Sequence, residues 1–445
     1  MSRSLEETKK LIDSISPSFC AAKWYNVSIW LGNGRTASCH HPLAHHIPRM
    51  ELQNNPSALH NTEFKKTARK EMLEGDRPKE CGYCWRVEDA AKGKKDVYSD
   101  RVYQSHRYTT DEIVKIKDKP WDHNVIPKTV ELAFDNLCNL ACSYCNAEFS
   151  STWAQDINKN GPYKGMETKG GHTFANNGSH AMPFGHKNED NEFIKKFFEW
   201  FPSIRGGLQE LRVSGGEPAR SPSFWKLLDM CDNDTFDFAV NSNLIMPEDR
   251  LNTLIESAKK FKAFDIYTSA ESFGRNQEFV RDGFDWDIWE RNITKLLAAP
   301  QIRAVHIMMT LSALSVWTTD KFLEKIIGWR KQAGTKEMLY MSVNILRFPS
   351  FQSMNILPKE IKNDLAYKIE KVLIPSKDWM HEWEINHYNR LLVYLRNVDK
   401  AYEDEDSYKN KANDFKNFTV QYARRREKPI KQFMPVQFND WFQNI

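Results

Sequence analysis

The chain has 445 residues, a hydrophobic fraction of 40% and a formal net charge of +4, so it can build a sizeable core in one large domain or two. The nearly balanced charge gives no general case for binding nucleic acid or a membrane surface, and no apolar run approaches the roughly 18–20 residues of a membrane span. No secretion signal is visible at the N-terminus, and eight Cys then favour a cytoplasmic location and metal ligation over disulfides.

Four Cys residues near the N-terminus have the spacing of a four-thiolate metal site. Cys20 and Cys39 flank a predicted hairpin, and Cys81 and Cys84 form a knuckle after a predicted helix over Thr62–Glu74. Two ligands on a hairpin and two on a knuckle are enough to hold one metal ion or cluster with four thiolates. Zinc and a [4Fe–4S] cluster both accept four thiolates, so this spacing leaves the metal open.

Two further features accompany this set. A His-rich stretch follows Cys39 and comprises His40, His41, His45 and His46. These side chains could add a metal ligand or bind an anionic substrate, although a solvated turn beside the four thiolates is the simpler interpretation. The polar segment 85–128 is interpreted as a bridge to the next domain, and Ser99-Asp100-Arg101 as a tight turn without a functional role.

A third cysteine motif follows a short strand pattern. The run Thr129–Asp135 alternates in polarity and predicts a strand, and Cys138-Asn-Leu-Ala-Cys142-Ser-Tyr-Cys145 comes directly after it. Three thiolates on one loop can hold three corners of a [4Fe–4S] cube and leave one iron open to another ligand. A structural zinc loop that borrows a fourth ligand is the alternative that the spacing alone allows.

A glycine-rich turn ends the next predicted strand. Leu208–Ser214 reads as buried and runs into Gly215-Gly216-Glu217-Pro218. A Gly pair permits positive φ and close approach of the backbone to a ligand, and a neighbouring carboxylate can hold an ammonium group. Taken by itself, the segment could also be an ordinary strand-to-helix turn.

With both motifs in place, each after a strand, the chain resembles the radical S-adenosylmethionine (SAM) superfamily. The resemblance implies that Cys138, Cys142 and Cys145 ligate a catalytic [4Fe–4S] cluster whose open iron is chelated by SAM. It also implies that a reduced cluster cleaves SAM to a 5′-deoxyadenosyl radical, with a flavodoxin- or ferredoxin-type protein as low-potential electron donor. The residues that it assigns to cofactor binding here are Tyr144, Gly215, Gly216, Glu217 and Pro218.

Polar residues at later strand ends extend the implied SAM site. Asn243 and Ser269 each follow or end a predicted strand, where the family contacts the ribose and carboxylate of SAM. Glu271 lies close by, and Arg281 has a family counterpart that could clamp the SAM carboxylate in bidentate fashion. Turn chemistry and a surface ion pair are the alternatives for these residue types.

The fold expected is α/β: a partial (β/α)6 TIM-type barrel with a small N-terminal Cys-rich module and a helical C-terminal extension. The predicted divisions are 1–127, 128–350 and 351–445. An insertion over 156–191 is interpreted as a substrate-facing lid or as disorder, Cys231 as a buried small hydrophobe, and Arg424–Arg426 as a solvated helix face. The further predicted helices are Glu148–Gln155, Glu192–Phe201, Ser223–Cys231, Pro247–Phe261 and Lys321–Lys331, and the further strands are Phe236–Asn241, Ala263–Ser269, Arg303–Leu311 and Met338–Leu346.

The spacing from Cys20 through Gly34 to Cys39 resembles the opening of SPASM and twitch modules, which carry auxiliary [4Fe–4S] clusters. Those modules usually follow the barrel, whereas this Cys set precedes it. The resemblance implies that Cys20, Cys39, Cys81 and Cys84 hold a second cluster, and that the enzyme abstracts hydrogen from a peptide or protein. A small-molecule substrate (sugar, nucleotide or cofactor precursor) and a zinc-stabilised binding scaffold are the alternatives.

Overall fold

A computed structural model describes residues 3–91, 94, 97–176, 190–397 and 405–445 as a mixed α/β protein with mostly parallel strands. The strands are β1 Asn26–Trp30, β2 Arg35–Ala37, β3 His45–His46, β4 Thr129–Ala133, β5 Ala141–Cys142, β6 Glu210–Ser214, β7 Asp234–Asn241, β8 Phe261–Ser269, β9 Arg281–Asp282, β10 Ala304–Leu311 and β11 Leu339–Ile345.

The α-helices are α1 Leu5–Ile15, α2 Ala22–Tyr25, α3 Arg49–Asn54, α4 Glu63–Glu74, α5 Gly82–Ala90, α6 Asp100–His106, α7 Thr110–Val114, α8 Ser151–Asn160, α9 Glu192–Ile204, α10 Pro222–Met230, α11 Glu248–Ser257, α12 Arg275–Val280, α13 Trp286–Leu297, α14 Thr319–Ala333, α15 Lys359–Leu373, α16 Glu382–Asn397, α17 Glu405–Arg425, α18 Ile430–Phe433 and α19 Val436–Phe442. By its contacts the chain divides into two compact units. Unit 1 comprises the segments 1–135, 184–214 and 225–238, and unit 2 comprises 136–183, 215–224 and 239–445.

The strands of unit 1 join the N-terminal segment to the first strand of the predicted barrel. β1 pairs in parallel with β4, and β4 pairs in parallel with β6. β2 and β3 extend the same sheet from β1 as antiparallel strands. Val27 and Ile29 of β1 are buried, as the alternating apolar positions of a strand on a core require. The segment 1–127 therefore contributes strands as well as cysteines.

Behind these strands the N-terminal helices of unit 1 enclose an aromatic core. Phe19 stacks on Trp24 with ring centroids 4.9 Å apart, and both pack with Met72 and Trp85 in one buried cluster. Burial of each such side chain contributes roughly 1.5–3 kcal/mol. Cys84 belongs to the same cluster, and Cys20 and Cys81 pack against it. A dense core thus fixes three of the four predicted N-terminal ligands.

Unit 2 contains parallel strands followed by amphipathic helices. β10 pairs in parallel with β8 on one side and with β11 on the other. A fully buried ion pair connects helices α14 and α16. Arg330 of α14 donates to the carboxylate of Glu384 in α16 at 2.6 Å. Arg330 also donates to the Leu339 carbonyl of β11 at 2.6 Å, and Glu384 accepts from the Met341 amide at 2.9 Å. This network positions the C-terminal extension, residues 351–445, which was predicted to be helical. The closure of a partial barrel stays a prediction.

Most predicted strands and helices occur within a few residues of their predicted bounds, and Cys231 is buried as predicted. The helix predicted at Glu148–Gln155 begins later, at Ser151, and continues to Asn160. Its start is set by Ser150, whose side chain accepts from the Trp153 amide at 3.3 Å and so caps the helix. The turn predicted at Ser99-Asp100-Arg101 was also wrong, because Ser99 precedes α6 and the other two residues begin it.

Part of the segment 156–191 is ordered, contrary to the expectation of a structureless insertion. Tyr163 and Phe174 are buried and pack on Phe418, with ring centroids 5.2 Å and 4.7 Å away. Phe174 also lies 5.1 Å from the Trp153 ring. A few aromatic side chains are therefore enough to fix this part of the chain. The remainder of that prediction, over 177–189, lies outside the described residues.

The basic run near the C-terminus is only partly solvated. The Arg426 guanidinium lies 3.9 Å from the Tyr422 ring centroid and 4.6 Å from that of Trp153. It forms ion pairs with Asp156 at 3.4 Å and with Asp282 at 3.3 Å. The prediction of a solvated face was therefore wrong for Arg426, because two carboxylates and two rings compensate its burial. Among the described residues, no helix has both the length and the apolarity needed to cross a membrane.

Candidate active site

The three-cysteine loop of unit 2 brings its thiols close enough to interact electrostatically. Cys142 lies in β5, which pairs with β9 through Cys142 and Arg281. A turn then brings the Cys145 amide to the Cys142 carbonyl at 2.9 Å. The Cys138 thiol accepts from the Leu140 amide at 3.4 Å. A single loop therefore presents all three sulfurs from a fixed backbone.

Electrostatics show that this loop is unfavourable for three free thiolates. Burial raises the pKa of Cys138 to about 12, and the neighbouring Cys142 adds to that rise. Burial also raises the pKa of Cys145, with further contributions from Cys142 and Cys138. A bound metal ion or cluster reverses this balance, because its positive charge stabilises the thiolates that ligate it. The donor set thus fits a metal–sulfur group.

Hydrogen bonds from outside the loop hold its carbonyl groups. The donors are Ser150 Oγ to Leu140 O at 2.7 Å, Tyr422 OH to Ala141 O at 2.7 Å, Trp153 Nε1 to Cys142 O at 2.9 Å, Gln352 Nε2 to Ser143 O at 2.8 Å and Thr152 Oγ1 to Cys138 O at 2.6 Å. Each buried carbonyl is therefore satisfied without using the thiols. Gln352 and Tyr422 lie far from the loop in sequence, and no local pattern predicts their contacts with it. The cap at Ser150 could have been predicted, because Ser is a common residue before the first turn of a helix.

Tyr422 offers a direct test of this support. Tyr422→Phe removes a hydroxyl that donates to Ala141 O and accepts from the Asp282 amide at 3.2 Å. We expect the free energy of unfolding to fall by about 1–2 kcal/mol, because two buried polar groups lose a partner. Loosening of the loop should also speed iron loss to a chelator. Denaturant unfolding and iron-release rates measure both effects, with Tyr367→Phe as control because Tyr367 is 60% exposed. Equal behaviour of the two variants would contradict the assignment.

The Gly-Gly-Glu-Pro turn lies directly against the start of the cysteine loop. Gly215 has φ 126°, a conformation that favours glycine. A Cβ atom on Gly216 would lie 2.4 Å from the Leu137 carbonyl oxygen. The Glu217 amide donates to that same oxygen at 2.7 Å. Both glycines are therefore required, one for its conformation and the other for close backbone packing.

The Glu217 carboxylate fastens neighbouring strand ends. It accepts from Ser242 Oγ at 2.8 Å, from the Asn243 amide at 2.6 Å and from the Ala219 amide at 3.2 Å. Burial raises the pKa of Glu217 to about 6, although these hydrogen bonds oppose the rise. The binding of an ammonium group by Glu217 stays a prediction.

Asn243 and Ser269 take different places in this unit. Asn243 Nδ2 donates to Asn139 Oδ1 on the cysteine loop at 2.9 Å, and Asn243 Oδ1 accepts from the Ile245 amide at 2.9 Å. The Asn243 side chain therefore forms hydrogen bonds of the kind found in turns, which was the alternative to SAM binding. Ser269 is the last residue of β8 and is partly exposed. Both assignments to SAM stay predictions.

Arg281 reaches one of the cysteine thiols. Its Nε and Nη2 donate to the two oxygens of Glu271 at 2.9 Å and 2.5 Å, and its Nη1 donates to Cys142 Sγ at 3.4 Å. Tyr144 OH donates to Glu271 Oε1 at 2.6 Å and also contacts Arg281. Burial lowers the pKa of Arg281, but Glu271 and Tyr144 outweigh it and the net pKa is raised. The predicted clamp on SAM is thus already bound to a carboxylate and a sulfur.

The four N-terminal thiols of unit 1 line one cavity. Cys20, Cys39, Cys81 and Cys84 line a small cavity of about 30 Å³, together with Lys23, His41, Asp100 and Arg101. Asp100 and Arg101 are wall residues that the interpretation as a plain turn overlooked. The four ligands predicted from spacing are therefore brought together around one enclosed space.

The spacing of the thiols bears on which metal group fits. In the part of the chain that the structure describes, three metal-binding atoms lie within 4.8 Å of one another at His40, His41 and Asp100, and no three Cys thiols do. A tetrahedral zinc with Zn–S distances of about 2.3 Å needs sulfurs about 3.8 Å apart. The metal held by Cys20, Cys39, Cys81 and Cys84 therefore stays a prediction.

The comparison with protein families agrees with the site in unit 2. Residues 134–326 match the Radical SAM superfamily model. The match covers less than half of the chain, and it indicates that the chain is an enzyme. This family implies a [4Fe–4S] cluster and SAM as cofactors, and the matched residues include the three-cysteine loop, the Gly-Gly-Glu-Pro turn and Arg281. No curated protein matches the chain.

Three solved structures of complexes show weak similarity to the chain. Streptococcus suis SuiB bound to S-adenosylmethionine is 14% identical over 80% of this chain and 69% of that one, with a TM-score of 0.36. SuiB bound to precursor peptide SuiA is 12% identical over 80% and 70%, with a TM-score of 0.35. Native anSMEcpe with bound AdoMet and Cp18Cys peptide is 11% identical over 71% and 98%, with a TM-score of 0.31. Likenesses this weak say nothing about substrate.

Proposed function

We propose that this protein cleaves SAM reductively at a [4Fe–4S] cluster on Cys138, Cys142 and Cys145. We further propose that it abstracts hydrogen from a peptide or protein, and that a second [4Fe–4S] cluster takes part in electron transfer. The observation that carries the proposal is the packing of Gly216 against the cysteine loop, with a Cβ position 2.4 Å from Leu137 O. That contact joins the two family motifs, which are distant in sequence, into one site.

The residues of unit 2 have defined tasks in this proposal. When bound, the cluster and SAM supply the electron and the 5′-deoxyadenosyl group that removes hydrogen from substrate. The three thiols would hold the cluster, and the backbone at Gly215 and Gly216 would bind the methionine end of SAM. Arg281 donates to Cys142 Sγ at 3.4 Å, and such a hydrogen bond to a ligating sulfur tunes the reduction potential. Burial of the loop keeps water from the reacting atoms.

The cavity of unit 1 supports the second cluster and, through it, the substrate class. Removal of a hydrogen atom takes one electron from substrate, and a two-electron oxidation is complete only when a second electron leaves with loss of a proton. Four thiols around one cavity provide ligands for an acceptor of that electron. The resemblance to auxiliary-cluster modules connects such an acceptor with peptide and protein substrates.

Anaerobic reconstitution tests the chemistry. We expect about eight iron atoms per chain, with matching sulfide, since two cubane clusters are proposed. With reductant and SAM, the protein should release 5′-deoxyadenosine and methionine. Intact clusters without that release would overturn SAM cleavage, and about four irons with one zinc would overturn the second cluster alone.

The substrate class needs a separate measurement. Peptides encoded next to this gene, or peptides that co-purify with the protein, are incubated with reduced enzyme and SAM and analysed by mass spectrometry. An oxidised peptide should lose two hydrogen masses for each modification. Unchanged peptides, with 5′-deoxyadenosine formed only when a sugar, nucleotide or cofactor precursor is added, would assign the small-molecule alternative.

A further inference from the structure

The four-thiol cavity disfavours free thiolates, but hydrogen-bond donors face its sulfurs. Burial raises the pKa of Cys20 and Cys81 to about 11 and that of Cys84 to about 12. The amide groups of Ala22, His41 and Arg101 oppose this rise at Cys20, Cys39 and Cys84, respectively. Three of the four sulfurs thus face a backbone N–H, the kind of donor that stabilises a cluster thiolate.

The fourth sulfur faces a buried lysine instead. The Lys23 side chain is 4% exposed and its Nζ lies 2.8 Å from Glu80 Oε1. Lys23 lines the cavity, and its ammonium opposes the burial-driven rise in the pKa of Cys81. The ion pair with Glu80 thus holds the Lys23 ammonium group in the cavity wall.

Further basic side chains are buried in the same unit. Lys65 Nζ lies 3.0 Å from His60 Nδ1, and Arg69 Nη2 lies 3.1 Å from His60 Nε2. Burial lowers the pKa of both Lys65 and Arg69. The basic side chains that line the cavity itself are Lys23, His41 and Arg101.

We propose that Lys23 sets the reduction potential of the metal–sulfur cluster held by Cys20, Cys39, Cys81 and Cys84, and makes that cluster an easier electron acceptor. This inference rests on the proposed second cluster. Reduction adds one unit of negative charge to a cluster whose thiolates already make it anionic. A fixed ammonium beside one sulfur stabilises that added charge, since charges interact strongly where water is excluded. Lys23 acts through the cluster and does not contact substrate. It is a positioning residue that places a positive charge beside one cluster sulfur.

The test isolates the second cluster in the full-length chain. Cys138, Cys142 and Cys145 are all replaced by Ala, and iron content and the midpoint potential are measured by an EPR-monitored redox titration. In this background Lys23→Met should keep about four irons and shift the midpoint to more negative values. The expected change is about tenfold or more in the reduction equilibrium, which corresponds to ~59 mV for one electron. Lys23→Arg, which keeps the charge, should stay close to the parent.

Lys79→Met is the matched control, because Lys79 is exposed and lies two residues before Cys81. It removes the same charge from the same segment and should shift the midpoint much less. Equal potentials in Lys23→Met and Lys79→Met, with iron retained, would overturn the role of Lys23 and leave the cluster standing. Loss of iron in Lys23→Met but not in Lys23→Arg would assign Lys23 to cluster retention instead. A parent protein without iron, or with zinc in its place, would overturn the second cluster itself.

Discussion

Replacing Cys142 with Ala is expected to abolish 5′-deoxyadenosine release. Cys142 is buried on β5; its thiol accepts from the Arg281 guanidinium and interacts electrostatically with Cys138 and Cys145. Without it, the loop offers two thiolates where three are needed to hold a cluster with one open iron. Iron content should fall by about four atoms per chain, and the remainder should stay on the thiols of unit 1. Product chromatography and iron analysis of anaerobic samples measure both quantities.

The control for this experiment is Cys231→Ala. Cys231 is also buried, so its replacement removes one buried thiol and leaves a small cavity, as the replacement of Cys142 does. We expect it to cost some stability and to leave iron and product release near wild type. Substantial SAM cleavage by Cys142→Ala would mean that the catalytic cluster is held elsewhere in the chain.

Gly216→Ala should reduce SAM cleavage by about 100-fold or more. The added methyl group would lie 2.4 Å from Leu137 O and 2.7 Å from the Asn136 carbonyl carbon, so one of two backbone segments must move. A displacement of about 1 Å at a reacting site can cost about two orders of magnitude in rate. Because the three thiols lie on the loop that would move, cluster content should also fall. Steady-state product formation, corrected for iron content, separates the two effects.

Gly328→Ala is the comparison for that variant. Gly328 lies inside α14, and a Cβ there meets nothing within 4 Å. Alanine in a helix interior is favoured over glycine by about 1 kcal/mol, so this protein should be slightly more stable and fully active. Wild-type activity in Gly216→Ala would show that the turn can retreat from the cysteine loop, and would weaken the packing argument.

The parts of the site that could be predicted from sequence are those carried by local patterns. Cys138, Cys142 and Cys145 were identifiable from their spacing, and Gly216 from its place after a strand. The strands were visible because apolar residues alternate over β4 and β6, which local burial dictates. The four N-terminal cysteines were also predicted as a set, and they line one cavity.

Other features depend on contacts between distant residues and leave no local pattern. Arg426 looked solvated in a charged tail, yet its burial depends on Asp156 and Asp282, more than 100 residues away along the chain. Phe174 and Tyr163 looked too sparse to order a polar segment, and Phe418 supplies the surface on which they pack. Arg281 was expected at SAM, but its bond to Cys142 depends on the pairing of β5 with β9.

The parallel pairing of β1 with β4 has a consequence for synthesis. Asn26 cannot pair with Thr129 until Thr129 has left the ribosome, and Thr129 in turn pairs with Glu210. Contacts of such long sequence separation form slowly, and unpaired strand edges invite association with other chains. The N-terminal cysteines therefore emerge well before the scaffold that orders them is complete. We therefore expect iron to enter the proposed N-terminal cluster only after the strand at Glu210–Ser214 has been translated.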